Sequence, residues 1–493
     1  MNVIQQDWAA KWALYSPDKI ALKEYETGRE WQYGELNTRA THIAQFLYNH
    51  YAINKGDRVA VLAEYSLEYV ALFCASQKLG FIIVPLNYRL SPTEIAYLLK
   101  DAEPKLIFCE EKYEQLLLHT EGGVSMEKLG IIAQGFDNQI NTVLENVVLN
   151  EDDPAFILYT SGTTGFPKGA IYSHKMLFWN SINTAMSLIV NQESRTLNVM
   201  PPFHTGGWNV LLTPFLHHGG YTCLLKKFEP AAVLQLLQDE KCTIFMGVPT
   251  MLKMIADLPA FEQATFPYLH YIIVGGEPMP IPLIEKWQTK GVMIRQGYGM
   301  TEVGPNLTSL HQDDAVRKKG SIGRPNFYVE TKIVDENGQK SQNGELLLRG
   351  PMVTPGYWRN EEATQNSLKN GWFYTGDRVR QDEEGYLYVV DRIKNMYISG
   401  GENIYPAEIE RVILTHPSVS EAAVIGVADE KWGEVGKAFI VTKQNTPVSG
   451  EDIIGFLQEQ LAKFKIPKYI TFLAALPKSD TGKINKKQLK EST

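Results

Sequence analysis

The sequence predicts an α/β fold: a large N-terminal domain of two doubly wound sheets plus a small β-barrel, followed by a small, mobile α+β C-terminal domain. Three observations carry this. Short apolar runs alternate with amphipathic stretches from Ile20 to Gln296. From Gly320 to Asp391 the pattern changes to short runs broken by Gly-containing turns. Beyond a junction near Arg392 and Asn395 the chain again reads as a self-contained unit, which divides it into 1–392 and 393–493.

In the first series, 20–31 reads as a hairpin turning at Thr27-Gly28, and Leu36, Ala40, Ile43, Ala44 and Leu47 recur at helical spacing. Residues 58–62, 81–85 and 105–108 read as short buried strands, 67–79 and 91–101 as helices. The second helix opens with Ser91-Pro92 and a capping-box Glu94. Such alternation with short linkers makes a parallel sheet covered by helices. A second series follows the polar Asn150-Glu-Asp-Asp-Pro154. Its strands fall at 155–159, 196–200, 221–225, 242–246, 271–274 and 292–296, its helices at 231–238, 249–258 and 281–288. Asn337-Gly338, Asn343-Gly344 and Glu384-Gly385 supply turns for the antiparallel, barrel-like stretch. In the last unit a helix starts at Pro406, 419–427, 435–442 and 469–473 are strands, and 449–464 is a helix capped by Ser449 and Asp452.

Composition narrows the function. The chain has 493 residues with 48 Lys+Arg against 56 Asp+Glu, a net charge of −8, long enough to bury a sizeable core. An acidic surplus argues against a general nucleic-acid partner, because phosphate-backbone affinity needs a basic excess. Cys74, Cys109, Cys223 and Cys242 form no C-x-x-C pair and lie in or beside apolar runs, as buried free thiols of a reducing compartment do. No apolar stretch approaches the ~20 residues of a bilayer span, and the first residues carry neither a basic nor a hydrophobic leader region. The histidines include no H-E-x-x-H motif or Cys/His cluster. The expectation is a cytoplasmic protein with no nucleic-acid partner and no integral membrane segment.

The sharpest feature is Tyr159-Thr-Ser-Gly-Thr-Thr-Gly-Phe-Pro-Lys-Gly169. A buried strand runs into Thr160, Ser161, Gly162, Thr163 and Thr164, and Lys168 follows. Glycines let successive N–H groups approach an anion as a concave nest, hydroxyls add neutral donors and the lysine adds charge. That is the chemistry a polyphosphate needs. The string is not a Walker A loop, because G-x-x-x-x-G-K-[ST] is not satisfied.

This string resembles the signature of the adenylate-forming superfamily, which holds acyl-CoA synthetases, peptide-synthetase adenylation domains and firefly luciferase. Further segments, in the same order, are similar to its other motifs: Pro201-Pro-Phe-His204, Val248-Pro-Thr250, Gly275-Gly-Glu-Pro278, Gln296-Gly-Tyr-Gly-Met-Thr-Glu302 and Gly320-Ser-Ile-Gly-Arg-Pro325. Tyr374-Thr-Gly-Asp377, Asp391-Arg392, Ser399-Gly-Gly-Glu-Asn403 and Thr481-Gly-Lys483 complete the set.

The resemblance implies an AMP-forming carboxylate–CoA ligase that uses ATP, Mg2+ and coenzyme A, with 1–392 as adenylation domain and 393–493 as lid. It assigns the phosphates to Thr160, Ser161, Gly162, Thr163, Thr164 and Lys168, and the adenine and acyl walls to Gly275, Gly276 and Glu277. Gln296, Gly297, Tyr298 and Gly299 also take the nucleotide, with the Tyr298 ring stacked on adenine. Thr301 donates to the α-phosphate, and Glu302 helps hold Mg2+, a cation that keeps few protein carboxylates. Asp377 accepts from the ribose hydroxyls and Arg392 reaches the same region. Lys483 pairs with the substrate carboxylate and the α-phosphate, where a cation stabilises charge building in the transition state. The residues alone allow plainer readings: a structural Gly-Tyr-Gly turn, a junction salt bridge of Asp377 and Arg392, and a solvated basic tail around Lys483.

Lys394 occupies the family's hinge position, and Ser399, Gly400 and Gly401 match its pantetheine-lining loop. Trp432 resembles an aromatic that stacks on the CoA adenine, with a half-buried core tryptophan as the alternative. His204 matches a residue facing the acyl group, Gly206 and Met300 its pocket, and Trp208 the aromatic gate of long-chain relatives. Phe203-His204 stand where amino-acid-activating relatives carry a carboxylate for the substrate ammonium; without it that cation would be buried unpaired, so an amino acid is disfavoured. The expected acid is a fatty acid. An aryl or succinylbenzoyl acid, or transfer to a carrier protein, is the alternative, and a homodimer is left open.

Overall fold

The computed structural model describes residues 6–118, 124–134, 147–160, 167–275, 279–399, 402–430, 432–443, 446–461, 463–479 and 482–492. They form two compact units: Met1–Thr331 with Leu348–Phe373, and Lys332–Leu347 with Tyr374–Thr493.

The first unit holds a six-stranded sheet in the order Ser125–Lys128, Leu106–Cys109, Arg58–Leu62, Ile82–Pro85, Pro154–Thr160, Lys168–Ser173. Five strands are parallel and the last returns antiparallel on its neighbour. Continuous apolar runs form these strands because both faces are covered. Val59, Val61, Ile83 and Phe108 pack under the helix Leu67–Leu79, whereas Ala60, Leu62, Val84 and Ile107 meet Ile95, Leu98 and Leu99 of the helix Pro92–Ala102. The capping box at Ser91 and Glu94 forms as the sequence predicts.

A second sheet runs Ile244–Gly247, Tyr271–Val274, Met293–Met300, Gly304–Leu310, Arg324–Pro325, with the first three strands parallel and the rest antiparallel. One face packs Ile272, Val274 and Ile294 on Leu252, Ile284 and Trp287. The other sets Ile244, Tyr271 and Ile273 against Leu188, Val210 and Phe215. A four-stranded sheet, Glu30–Gln32, Ile20–Glu24, Tyr221–Leu224, Arg195–Asn198, adjoins it where the Thr243 N–H donates to the Arg195 carbonyl at 2.9 Å.

In the second unit Asp377–Gln381, the end of the strand Trp372–Gln381, pairs antiparallel with Leu387–Arg392, placing Asp377 opposite Arg392. A further sheet centres on Val419–Asp429 and Gly433–Thr442. Val424 and Ile440 face the helices Pro406–Ile413 and Gly450–Gln458, while Ile425 and Phe439 are covered by Leu476 and by Leu489 of the terminal helix Lys486–Glu491.

Four expectations are corrected. The helices Trp8–Tyr15 and His174–Leu188 were not foreseen. The strand expected to stop at Gln296 continues to Met300, because Gly299 lets the Pro305 carbonyl lie where a Cβ would approach it to 2.2 Å. Asn343-Gly344 opens the strand Asn343–Arg349 instead of making a turn; a Cβ on Gly344 would meet the Val334 carbonyl at 1.9 Å. The helix expected over 449–464 ends at Gln458, where the Gln460 N–H turns onto the Leu457 carbonyl three residues back and tightens the last turn. All four cysteines are free and buried. No helix among the described residues is long and apolar enough to cross a membrane.

Candidate active site

The glycine-rich string begins and ends on two strands that pair with each other. Thr160 pairs with Lys168 across the strands Pro154–Thr160 and Lys168–Ser173, so both stand at the loop's root. Ser161, Gly162, Thr163 and Thr164 lie outside the described residues, as do Gly276 and Glu277. What stands around the root is well defined. Thr160 Oγ1 lies 3.3 Å from Glu302 Oε1, and the Tyr357 hydroxyl donates to the same oxygen at 3.1 Å. The Lys168 ammonium sits 5.7 Å from the Tyr357 ring centroid. The Thr354 N–H holds the Glu302 carbonyl at 2.7 Å, fixing the turn Thr301–Val303 that carries the carboxylate.

No described lysine or arginine is ion-paired with Glu302, whose visible partners are hydroxyls. One carboxylate flanked by hydroxyls suits Mg2+, which binds through one or two carboxylates and keeps waters for the rest of its shell. Among the described residues there is no group of three or more potential ligands that would make a dedicated metal cage. Tyr357 and Thr354 are neighbours of Glu302 that sequence reasoning missed. Their stretch Thr354-Pro-Gly-Tyr357 carries no local pattern beyond a turn, and only the fold lays it against the strand Lys168–Ser173, where Thr354 Oγ1 donates to the Ile171 carbonyl at 2.6 Å.

Gln296, Gly297, Tyr298, Gly299 and Met300 line up along the end of one strand, with Gln296 buried and the other four half-buried. The Gln296 side-chain carbonyl accepts from the Met279 N–H at 3.2 Å, tying this strand to the segment after Gly275. Tyr298 pairs with Thr308 on the return strand. His204 precedes the short helix Thr205–Asn209, its ring 4.6 Å from that of Phe203. A Cβ on Gly206 would meet nothing nearer than Met200 Cε at 3.7 Å, so that position leaves room.

Trp208 is corrected. It is fully buried, its indole N–H donates to the Pro202 carbonyl at 2.7 Å, and it sits among Tyr65, Tyr69, Phe73 and Phe156. Its ring is a core anchor for the His204 loop, with no face left for a gate.

In the second unit Arg392 Nε and Asp377 Oδ1 are 2.5 Å apart. Asp377 is 2% exposed, and its N–H donates to Thr375 Oγ1. The junction salt bridge and the ribose reading thus use the same pair. Asp391 caps the chain on both sides, accepting from the Arg392, Ala407 and Asn395 N–H groups. Lys394 lies in the turn Ile393–Asn395; its side chain is outside the description, as are Gly400 and Gly401 altogether. Ser399 pairs with Gly433, next to Trp432, which is 48% exposed and therefore no core residue.

The basic tail is folded rather than loose. Lys478 pairs with Glu421 and Lys486 with Glu410, at 2.8 and 2.7 Å. Lys483 stands exposed on a tight turn closed by its own carbonyl accepting from the Ser479 N–H at 2.7 Å.

Comparison with known proteins agrees with this geometry. The AMP-binding enzyme family matches residues 9–358, and the AMP-binding enzyme C-terminal domain matches 408–483. A long-chain-fatty-acid–CoA ligase of Mycobacterium tuberculosis is 36% identical over 490 residues, covering 97% of this chain and 96% of its own. A feruloyl-CoA synthase of Amycolatopsis sp. is 34% identical over 486 residues, covering 98% of each. Among solved structures, the O-succinylbenzoate coenzyme A synthetase of Bacillus subtilis in complex with ATP and a magnesium ion superposes with a TM-score of 0.86 at 32% identity, covering 98% of this chain and 99% of the other. With ten sequence motifs in order, paired strand ends that gather Thr160, Lys168 and Glu302, and relatives matched end to end, the chain belongs to the AMP-binding enzyme family and is an AMP-forming acyl-CoA ligase of the adenylate-forming superfamily.

Proposed function

We propose that the chain activates a carboxylic acid in two steps at the residues gathered above. The acid's carboxylate attacks the α-phosphorus of Mg·ATP in line, pyrophosphate leaves, and an acyl adenylate forms. The CoA thiol then attacks the acyl carbon, AMP leaves and the thioester is made. ATP, Mg2+ and coenzyme A are the co-reactants of this enzyme class, and no protein nucleophile is needed, because catalysis is positioning plus charge stabilisation.

The observation that carries this reading is the meeting of Thr160, Lys168 and Tyr357 around the Glu302 carboxylate at the mouth of a glycine-rich loop. Thr160 to Thr164 and Lys168 hold the phosphates, Glu302 the magnesium ion, Thr301 the α-phosphate. Gly275 to Glu277 and Gln296 to Gly299 take the adenosine, and Asp377 and Arg392 the ribose. Lys483 neutralises the reacting phosphorus. Lys394 is the hinge within a lid of residues 393–493, and Ser399, Gly400, Gly401 and Trp432 receive CoA. His204, Gly206 and Met300 border the acid. The fatty-acid reading loses its aromatic gate with Trp208, so a compact acid stands beside it on equal terms.

Four buried free cysteines support a cytoplasmic setting. A homodimer is supported by an apolar outer surface on the first unit. Met186 and Ile189 at the end of the helix His174–Leu188 are 51% and 71% exposed, and Phe327, 75% exposed, sits edge-on to Tyr328, which itself packs edge-on to Trp179 of that helix.

The test is pyrophosphate release with acids from acetate to palmitate and substituted benzoates, with and without CoA. Release with at least one acid, AMP formation that needs CoA for turnover, and a drop of about a hundredfold or more in K483A are expected. Adenylation unchanged in K483A would remove that lysine's role, and no release with any acid would remove the function.

A further inference from the structure

Resting on the ligase reading, we propose that Arg295 selects acids bearing a second carboxylate at the end remote from the reacting one. The strand register sets Ile273 beside Arg295, and alternation puts Gly297, within the adenosine motif, on the same face two residues on. The helix His174–Leu188 covers this face. Between helix and strands lies a small recess of about 10 Å³, room for one water or one carboxylate oxygen. Its walls set the polar Thr184, Ser187, Arg295, Asn306, Thr308 and Ser309 beside the apolar Leu188 and Ile273.

Arg295 is 5% exposed. One Nη donates to the Ser187 carbonyl at 2.7 Å and the guanidinium lies 5.1 Å from the Tyr271 ring centroid. Its Nε has no hydrogen-bond partner, and no described carboxylate forms an ion pair with it, Asp313 acting on it through its field alone. A buried cation without an ion-pair partner is costly. The guanidinium fork matches a carboxylate in two parallel hydrogen bonds. An acid that reacts near Thr301 and runs past Gly297 brings its far end toward Arg295. A methyl terminus there would leave Nε unpaired; a carboxylate would accept from it and make the ion pair that Arg295 lacks.

The full chain is assayed with Mg·ATP and CoA on saturated diacids from succinate to sebacate, their monomethyl half esters and matched monoacids. The expected result is a kcat/KM for the best diacid at least about tenfold above its half ester, the discrimination of a site built to pair a polar group. In R295M this ratio falls to near one through a raised KM for the diacid, while R295K, a cation without the fork, keeps part of it. Thermal melts report whether the variants fold; if neither does, the wild-type ratio alone decides. A wild-type ratio of one or less, or an R295M variant with the ratio unchanged, overturns the proposal and leaves the ligase standing. No pyrophosphate release with any acid overturns the ligase reading itself.

Discussion

Two helices of the first unit cover sheets and present them with opposite chemistry. Leu67–Leu79 buries nearly all its residues, among them Val70, Leu72 and Phe73, and the Phe73 ring stacks on Phe156 at 5.3 Å. His174–Leu188 turns Asn180, Ser181, Asn183 and Thr184 inward and leaves Met186 on the outside. Each inward polar group has work among its neighbours. Asn180 Nδ2 donates to the Asn209 carbonyl, and Asn306 Nδ2 to Thr184 Oγ1, both at 2.6 Å. The first helix holds the fold together. The second holds the loop after His204, the return strand from Glu302 and the Arg295 recess in register, which needs directed hydrogen bonds that an apolar face lacks.

The contrast is sharpest at Phe73. F73A should lower stability by about 3–5 kcal/mol, as large-to-small changes in tight aromatic cores do, and shift the denaturant midpoint while leaving the ranking of acids intact. A loss under about 1 kcal/mol would mean the cluster around Trp208 collapses freely into the gap, and the two helices would not differ as described.

The polar helix has its own signature in acid. Burial holds the His174 imidazole down at about 4, against an ordinary value near 6.5, with Asp153 raising it and Lys55 lowering it by smaller amounts. The unfolded chain therefore takes up this proton first as pH falls. Stability is full above about pH 6.5 and declines toward pH 4, by about 2 kcal/mol at pH 5 for this one group. H174N should flatten the difference in denaturation midpoint between pH 7 and pH 5. A variant as acid-sensitive as the parent would show that His174 is not the group responsible.

What the sequence made legible follows the same division. The strand Tyr271–Val274 and the helix Ile281–Gln288 fall where apolar runs and spacing put them, and the boxes at Ser91 and Ser449 cap their helices. The helix His174–Leu188 escaped because the face it buries mixes Met176, Leu177 and Leu188 with Asn180, Ser181, Asn183 and Thr184, which blurs the apolar stripe that marks a covering helix. Among site residues, Thr160, Lys168 and Glu302 were visible as motif positions. Tyr357 was not, because a side chain that arrives from a loop 55 positions away leaves no local trace. Arg295 hid inside a run read as a buried strand, where an arginine breaks the local rule; such breaks are where sites are to be sought.

A milder test lies at Thr184. T184V keeps shape and removes the oxygen that accepts from Asn306 Nδ2, so that amide loses one of its three acceptors, the others being Val210 and Asn209 carbonyls at 3.1 and 3.5 Å. A loss of about 1–2 kcal/mol is expected, together with a changed kcat/KM ratio among acids, because Thr184 and Asn306 both wall the recess. F73A and T184V thus separate the helices by readout. If T184V lowers stability without moving the ratio, the polar face is scaffolding only.

The smallest effect on the fold should come from the outer side of the same helix. Met186 and Phe327 are exposed and apolar, so M186E and F327E remove no buried contact and should change monomer stability by less than about 0.5 kcal/mol. Their consequence lies in association. Two copies meeting through this surface would bury Met186 and Phe327, and a carboxylate at either position would have to be desolvated against the other copy. The parent should therefore sediment as a dimer at micromolar concentration and the double variant as a monomer, with adenylation per chain preserved. A parent that is already monomeric would remove the dimer and leave the outward apolar face without a partner, while the inward polar face would keep its meaning, because its hydrogen bonds lie wholly within one chain.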